Sequence, residues 1–473
     1  MSQSRTPRRR GFVVLSGTLA VLVPATSPAE TRPEAYALTG ARVVTVSGPV
    51  LENATLVMRD GVITDIGTSV AIPPGVRAID AKGLTLTPGL IDGFSELGLP
   101  TPARRGGPAS GSPSSPDGDL APQAFALDKL KLADAFKARD SGLTTALLIP
   151  REGVLPGRSV LVNLSGTKPE DMVLRQPAAL HLHMNELSRR YPNSLMGTVA
   201  LARQALCDAR RYTDEWAAYE KSPWGKKRPR YDAALAAWQG VISGKEPLIV
   251  TATRANDIRR ALMLADEFKL KVAVAGAPQA ARLASLVKER KLPLLVSVNF
   301  DPPRAVSFFG GQDDEQERKD IEEAERNPAE LDKAGVPFAL VSAGAPSFGA
   351  GILKAIERGL SREVALRAVT LRAAEALGVA DRLGSLEKGK IANVVAWSGE
   401  PLTKEAKAKM VFVDGSLYEP DEKPEPKKDG EKNAEPVSDR SSLPPGWERG
   451  AVGVAVPTAF PSPYVGRDRE GGR

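Results

Sequence analysis

From residue 36 the chain alternates apolar and polar positions in short runs, ALTGARVVTV, ATLVMRDGVITDIGT and AIDAKGLTLT. Side chains two apart on a strand face the same way, so this alternation predicts half-buried strands. Between two of these runs Arg59-Asp60-Gly61 predicts a tight hairpin, because Asp-Gly tolerates the positive φ that such turns require. Further on the period changes. FALDKLKLADAFKARDSG has helical spacing and stops at Gly142, and LTTALLIP reads as a buried strand. Short apolar runs then recur as SVLVNLSG, PLIVTAT, KVAVAGA, PLLVSVNF and PFALVSAGA. Helical patterns separate them, among them MGTVALARQALCDARRYTDEWAAYEK, a segment from about Asp232 to Gln239, ANDIRRALMLADEFK and the charged DDEQERKDIEEAERNPAELDKAG. Alternation of this kind predicts parallel βα units, with helices from Ile352 onward closing the series.

Composition and charge narrow the class. At 473 residues, 42% of them apolar, the chain has material for a large core and a satellite domain. The net charge of +7 is concentrated at the start, where Arg5, Arg8, Arg9 and Arg10 are the only charges before Glu30. What remains is a diffuse excess, too small to imply a nucleic-acid or membrane-surface partner, and no nucleic acid is expected. The leader has a basic start, an apolar stretch from about Gly11 to Ala25 and a small-residue cleavage site at Ser27-Pro28-Ala29. Residues 1–29 are therefore expected to be a signal peptide, Sec or twin-arginine, and the protein to be exported to the periplasm or secreted. The apolar stretch is too short and too rich in Gly, Ser and Thr for a stable membrane span. Cys207 is the only cysteine, so no intrachain disulfide can form.

Two segments lie outside this pattern. Residues 99–124 are rich in Pro, Gly and Ser, and residues 420–473 begin with the charged, Pro-rich EPDEKPEPKKDGEKNAEP. Neither composition buries enough apolar surface to pack; the first reads as an insertion and the second as a disordered tail.

One stretch organises the rest: LTLTPGLIDGFSELG, in which Pro88-Gly89-Leu90-Ile91-Asp92 runs into Gly93-Phe94-Ser95-Glu96. Preceded by G-x-x-V, D-G-x-I-x-x-I-G and I-D-A-x-G, it resembles the amidohydrolase superfamily, nearest its imidazolonepropionase-like branch. The C-terminal G-S-L-E-K-G-K, a strand and V-x-V-D-G extend the resemblance to residues 36–419, with Asn393 and Ser398 where relatives often carry Asp. The resemblance implies an α/β fold: a (β/α)8 TIM-like barrel over 88–388, plus a small composite β-sandwich from 36–87 and 389–419. It implies hydrolysis of non-peptide carbon–nitrogen bonds by a metal-bound water.

The residues depart from that chemistry. Where the family's first strand ends in His-x-His, this chain has Phe94 and Glu96; Thr251 and Thr253 replace a second His pair, and Ala275-Gly276 a Glu-His-Gly turn. The catalytic Asp of the last strand is replaced by Ala343 or Gly344, and Asn163 is no bridging lysine. The candidates for a degenerate pocket are thus Phe94, Glu96, Thr251, Thr253 and Gly344. No catalytic residue, metal ligand or cofactor is predicted there. The chain's only histidines, His181 and His183, share one face of LHLHM, and two imidazoles at that spacing could bind zinc or another divalent metal. They are read by default as packed or surface residues of a connecting region.

Two functions remain open. One is a non-catalytic binding or assembly subunit, a pseudoenzyme that holds a small molecule or pairs with an active relative or with itself. The other is an active hydrolase of a small cyclic or linear amide, with His181, His183 and Glu96 around an atypical metal.

Overall fold

The computed structural model describes residues 35–100, 120–150, 153–184, 192, 194–300, 313–345 and 347–420, all within one compact unit. The expected signal peptide, most of the Pro/Gly/Ser-rich segment and nearly all of the tail lie outside these residues.

The N-terminal alternation forms strands as expected. Val50–Arg59 and Val62–Gly67 pair antiparallel through a turn in which Asp60 and Gly61 both have positive φ, 51° and 77°. They belong to an eight-stranded sheet that also contains Tyr36–Val44, Arg77–Asp80 and Thr85–Pro88. Val394–Trp397, Ala408–Val413 and Ser416–Tyr418 return from the far end of the chain to complete it. The join is Val394–Trp397 against Thr85–Pro88, antiparallel.

Gly89 connects this sheet to the next strand, Leu90–Ser95. A Cβ there would lie 2.1 Å from the Thr144 hydroxyl, so only glycine lets the two strands approach. The class is α/β, with parallel strands Leu90–Ser95 and Leu143–Leu148 in one sheet of four. Leu180–His183, Leu248–Ala252, Val272–Gly276, Leu294–Ser297 and Ala339–Val341 run parallel in another of six. Among the described residues these are two ladders and not one closed ring. The chain passes from one to the other at Ser159, whose bonds from its N to Ala179 O (2.9 Å) and from Ala178 N to its O (2.9 Å) extend the Gly157–Arg158 pairing, and on the other side Ala343 N donates to Phe94 O (3.0 Å).

Two local expectations are corrected. Val160–Asn163, within SVLVNLSG, runs antiparallel to Leu143–Leu148, because the stretch between them carries no crossover helix long enough to bring the chain back parallel. The segment before Gly142 is not one helix but three short turns, Ala126–Lys129, Leu132–Phe136 and Lys137–Ser141. Gly142 ends them in the left-handed conformation (φ 80°), where a Cβ would strike the Trp397 ring at 2.7 Å.

Successive residues of the parallel strands divide between two cores. Ile249, Ala273, Ala275, Leu295, Ala339 and Val341 face inward with Ile91 and Leu161, while Leu248, Val250, Val274, Leu294 and Val296 pack against the surrounding helices. Strands buried on both faces read as continuous apolar runs, which is how these were legible.

Candidate functional site

Asp92 builds the seam between the first and last parallel strands. It is fully buried, accepts from Ser342 N (3.0 Å), the Ser342 hydroxyl and Phe94 N (3.3 Å), and joins residues 250 positions apart. Burial pushes its pKa up, opposed by those hydrogen bonds. No sequence signal beyond the P-G-L-I-D motif marked it.

At the ends of these strands the predicted pocket residues partly converge. Phe94 is buried (6% exposed), and Glu96 reaches Gly344: a Cβ on Gly344, whose φ is 79°, would lie 3.1 Å from Glu96 Oε2. Thr251 stays with them as an inward strand residue, its hydroxyl shut off from water and without a partner. Thr253 does not. It is exposed, and its N and Oγ1 both lie 3.3 Å from Asp257 Oδ2, which caps the helix Ala255–Phe268.

His181 and His183 are not in a connecting region. They sit on the strand Leu180–His183, with His183 directly opposite Thr251 in the parallel ladder and His181 opposite Ile249. The Phe94 ring lies against His181, centroids 5.9 Å apart and planes tilted by 55°. The Phe94 ring, from the first parallel strand of one ladder, therefore packs on an imidazole of the other ladder. His181 is completely buried and neither ring nitrogen has a partner. His183 keeps part of its surface exposed; its ring bonds the Gly153 backbone, which leaves Nε2 buried and unpartnered. That bond orients the ring with its Nε2 lone pair free.

Burial lowers the pKa of His181 to about 3, with the neighbouring His183 adding to the effect, and that of His183 to about 4, opposed by Gly153. Both are neutral at pH 7. Asn299 adds another unpartnered buried acceptor, Oδ1, while its Nδ2 donates to Ala343 O at 3.3 Å. Each buried group left without a hydrogen bond costs about 1–3 kcal/mol, so this cluster presents unmet demand for donors and acceptors. Among the described residues no three His, Cys, Asp or Glu converge in a way that could hold a metal ion.

Comparisons with known proteins agree with this architecture. The Amidohydrolase family profile matches residues 281–418. A dihydroorotase of Citrifermentans bemidjiense is 45% identical over 53 residues, 11% of this chain and 12% of that protein. An imidazolonepropionase of Erwinia tasmaniensis is 39% identical over 105 residues, 20% of this chain and 25% of that protein. The chain thus matches only a minor part of each curated relative's length. Among solved structures, an amidohydrolase from Thermotoga maritima superposes with a TM-score of 0.69 at 23% identity, over 81% of this chain and 99% of that one. A Xaa-Pro dipeptidase with bound methionine in its active site gives 0.52 at 16% identity, over 82% of this chain and 100% of that one. The shared scaffold defines an α/β protein of the amidohydrolase type. Residues 281–418 carry the Amidohydrolase family's pattern, and the described fold is similar to that of a solved amidohydrolase.

Proposed function

We propose that this chain is an exported, non-catalytic amidohydrolase that holds a small molecule at its strand ends, alone or beside an active relative. The two ladders, bridged at Ser159 and at Ala343, support a (β/α)8 barrel, whose ligand-binding mouth is formed by the strand C-termini. One observation carries the reading: the donor set at that mouth does not fit the family's metal. Phe94, Ala275 and Gly344 offer no ligating side-chain atom, and Thr251 offers a neutral hydroxyl. A hydrogen-bonding ligand suits the unpartnered His181, His183 and Thr251 atoms better than a Lewis acid does.

A second reading has one observation in its favour. His183, fixed through Gly153 with Nε2 free, is oriented as a metal-bound imidazole is, and His181 and Glu96 would be its companions in an atypical hydrolase of carbon–nitrogen bonds. Elemental analysis of the purified mature protein, expressed with zinc, manganese and iron available and dialysed without chelator, separates the two. The binding reading expects a folded protein with far less than one ion per chain. About one ion per chain, lost in the His181→Ala, His183→Ala double variant, would sink it and establish the other.

A further inference from the structure

A separate cavity lies where three of the parallel strands begin. Its volume is about 430 Å³, and Pro247, Lys271 and Pro293, the residues just before those strands, line it. Ile249, Leu295 and Leu377 give it an apolar wall continuous with the inward-facing core. Four cationic side chains and no carboxylate line it: Arg175, Arg290, Lys291 and the Lys271 already named. They are not equivalent. Arg290 is tied to Asp266 outside the cavity, and the lysines are exposed.

Arg175 is half-buried at the end of the strand Val173–Arg175. Its Nη2 donates to Leu377 O at 2.7 Å, and its Nε is shut off from water without a partner. Burial lowers its pKa and no acidic group offsets the loss, so the guanidinium holds a charge that this fold leaves uncompensated. A cavity of this size suits a small organic molecule. The single charge of this guanidinium matches that of a carboxylate, whereas a phosphate dianion would need further buried donors that the apolar wall lacks.

We propose that this cavity binds a small organic carboxylate, its hydrocarbon body against Ile249, Leu295 and Leu377 and its anionic head on Arg175. The site is distinct from the histidine-bearing strand ends and does not depend on what they bind.

Isothermal titration of the full chain with hexanoate, hexanamide and inorganic phosphate tests it. Saturable one-to-one binding of hexanoate is expected, with hexanamide weaker by about tenfold and phosphate without saturable heat. Arg175→Gln should weaken hexanoate by about tenfold while leaving the circular dichroism spectrum and melting transition in place. Equal binding of hexanamide, unchanged binding in Arg175→Gln, preference for phosphate, or no heat with hexanoate would each overturn the proposal. If Arg175→Gln does not fold, Lys271→Glu, an exposed change, should still weaken hexanoate about threefold and leave hexanamide unaffected; no change in hexanoate binding there overturns it as well.

Discussion

Two neutral imidazoles in an apolar interior tie stability to pH. In the unfolded chain His181 and His183 titrate near their ordinary value of 6.5; in the fold burial holds them at about 3 and about 4. As pH falls below 6.5 the unfolded chain takes up protons that the folded chain refuses, so stability drops until the folded values are reached. Between pH 7 and 5 the pair should account for a loss on the order of 2–4 kcal/mol. Urea denaturation across that range should show a shallower slope in the His181→Gln, His183→Gln double variant; an identical slope would show that the imidazoles titrate normally. Asp92 has the opposite sign. Its raised pKa makes its contribution greatest in acid and weaker as pH rises, the Ser342 bonds limiting the loss. Phe94, Glu96 and Gly344 were legible as residues of two strand ends because the P-G-L-I-D motif fixed the register of one and the SAGAP stretch that of the other. The histidines were not, since no motif assigned LHLHM to a strand beside Thr251.

Between elements, polar side chains fasten the composite sheet to the parallel strands. Asn163 accepts from the Thr145 hydroxyl at 2.8 Å and donates to Asp414 Oδ1 at 2.6 Å; the Ser165 hydroxyl donates to Asp414 Oδ2. Asn393 donates to Thr145 Oγ1 (3.1 Å) and Asn163 Oδ1 (3.0 Å), and accepts from Asp414 N (2.9 Å). The network is closed, so removing one member strands its partners. Asp414→Ala should cost about 2–4 kcal/mol in denaturant unfolding, with the free Asn163 amide and Ser165 hydroxyl as the cause. A loss below about 0.5 kcal/mol, typical of a surface change, would mean that water replaces the carboxylate at no cost. Asn393, which departs from the Asp common among relatives, and Asn163, the residue that is no bridging lysine, are thus both parts of this fastening. Apolar periodicity foretold the strands they stand on, but not that the Val160–Asn163 strand would run antiparallel and bring Asn163 to Asp414.

For the whole molecule, the proposed export makes the most direct prediction. Expressed with residues 1–29 in a host that has both export routes, the chain should reach the periplasm and show a mature N-terminus at Glu30 by intact mass. Retention of the leader in a cytoplasmic product would remove export from the proposed function. Changing Arg9 and Arg10 to lysine tells the routes apart, because a twin-arginine signal is read by its receptor through those two residues. The sequence by itself determined the α/β class, the strands of the N-terminal sheet and the returning strands of the C-terminal segment. These depend on periodicity, turn chemistry and residue type, all of which are local. Only the tertiary structure decided that His181 lies against Phe94, that Thr253 turns out to the capping Asp257, that Asp92 and Ser342 join the first and last strands, and that Arg175 stands uncompensated beside a cavity. A period of two tells which face of a strand a side chain takes, but which strand lies next to it is set by chain crossings and packing over more than a hundred residues.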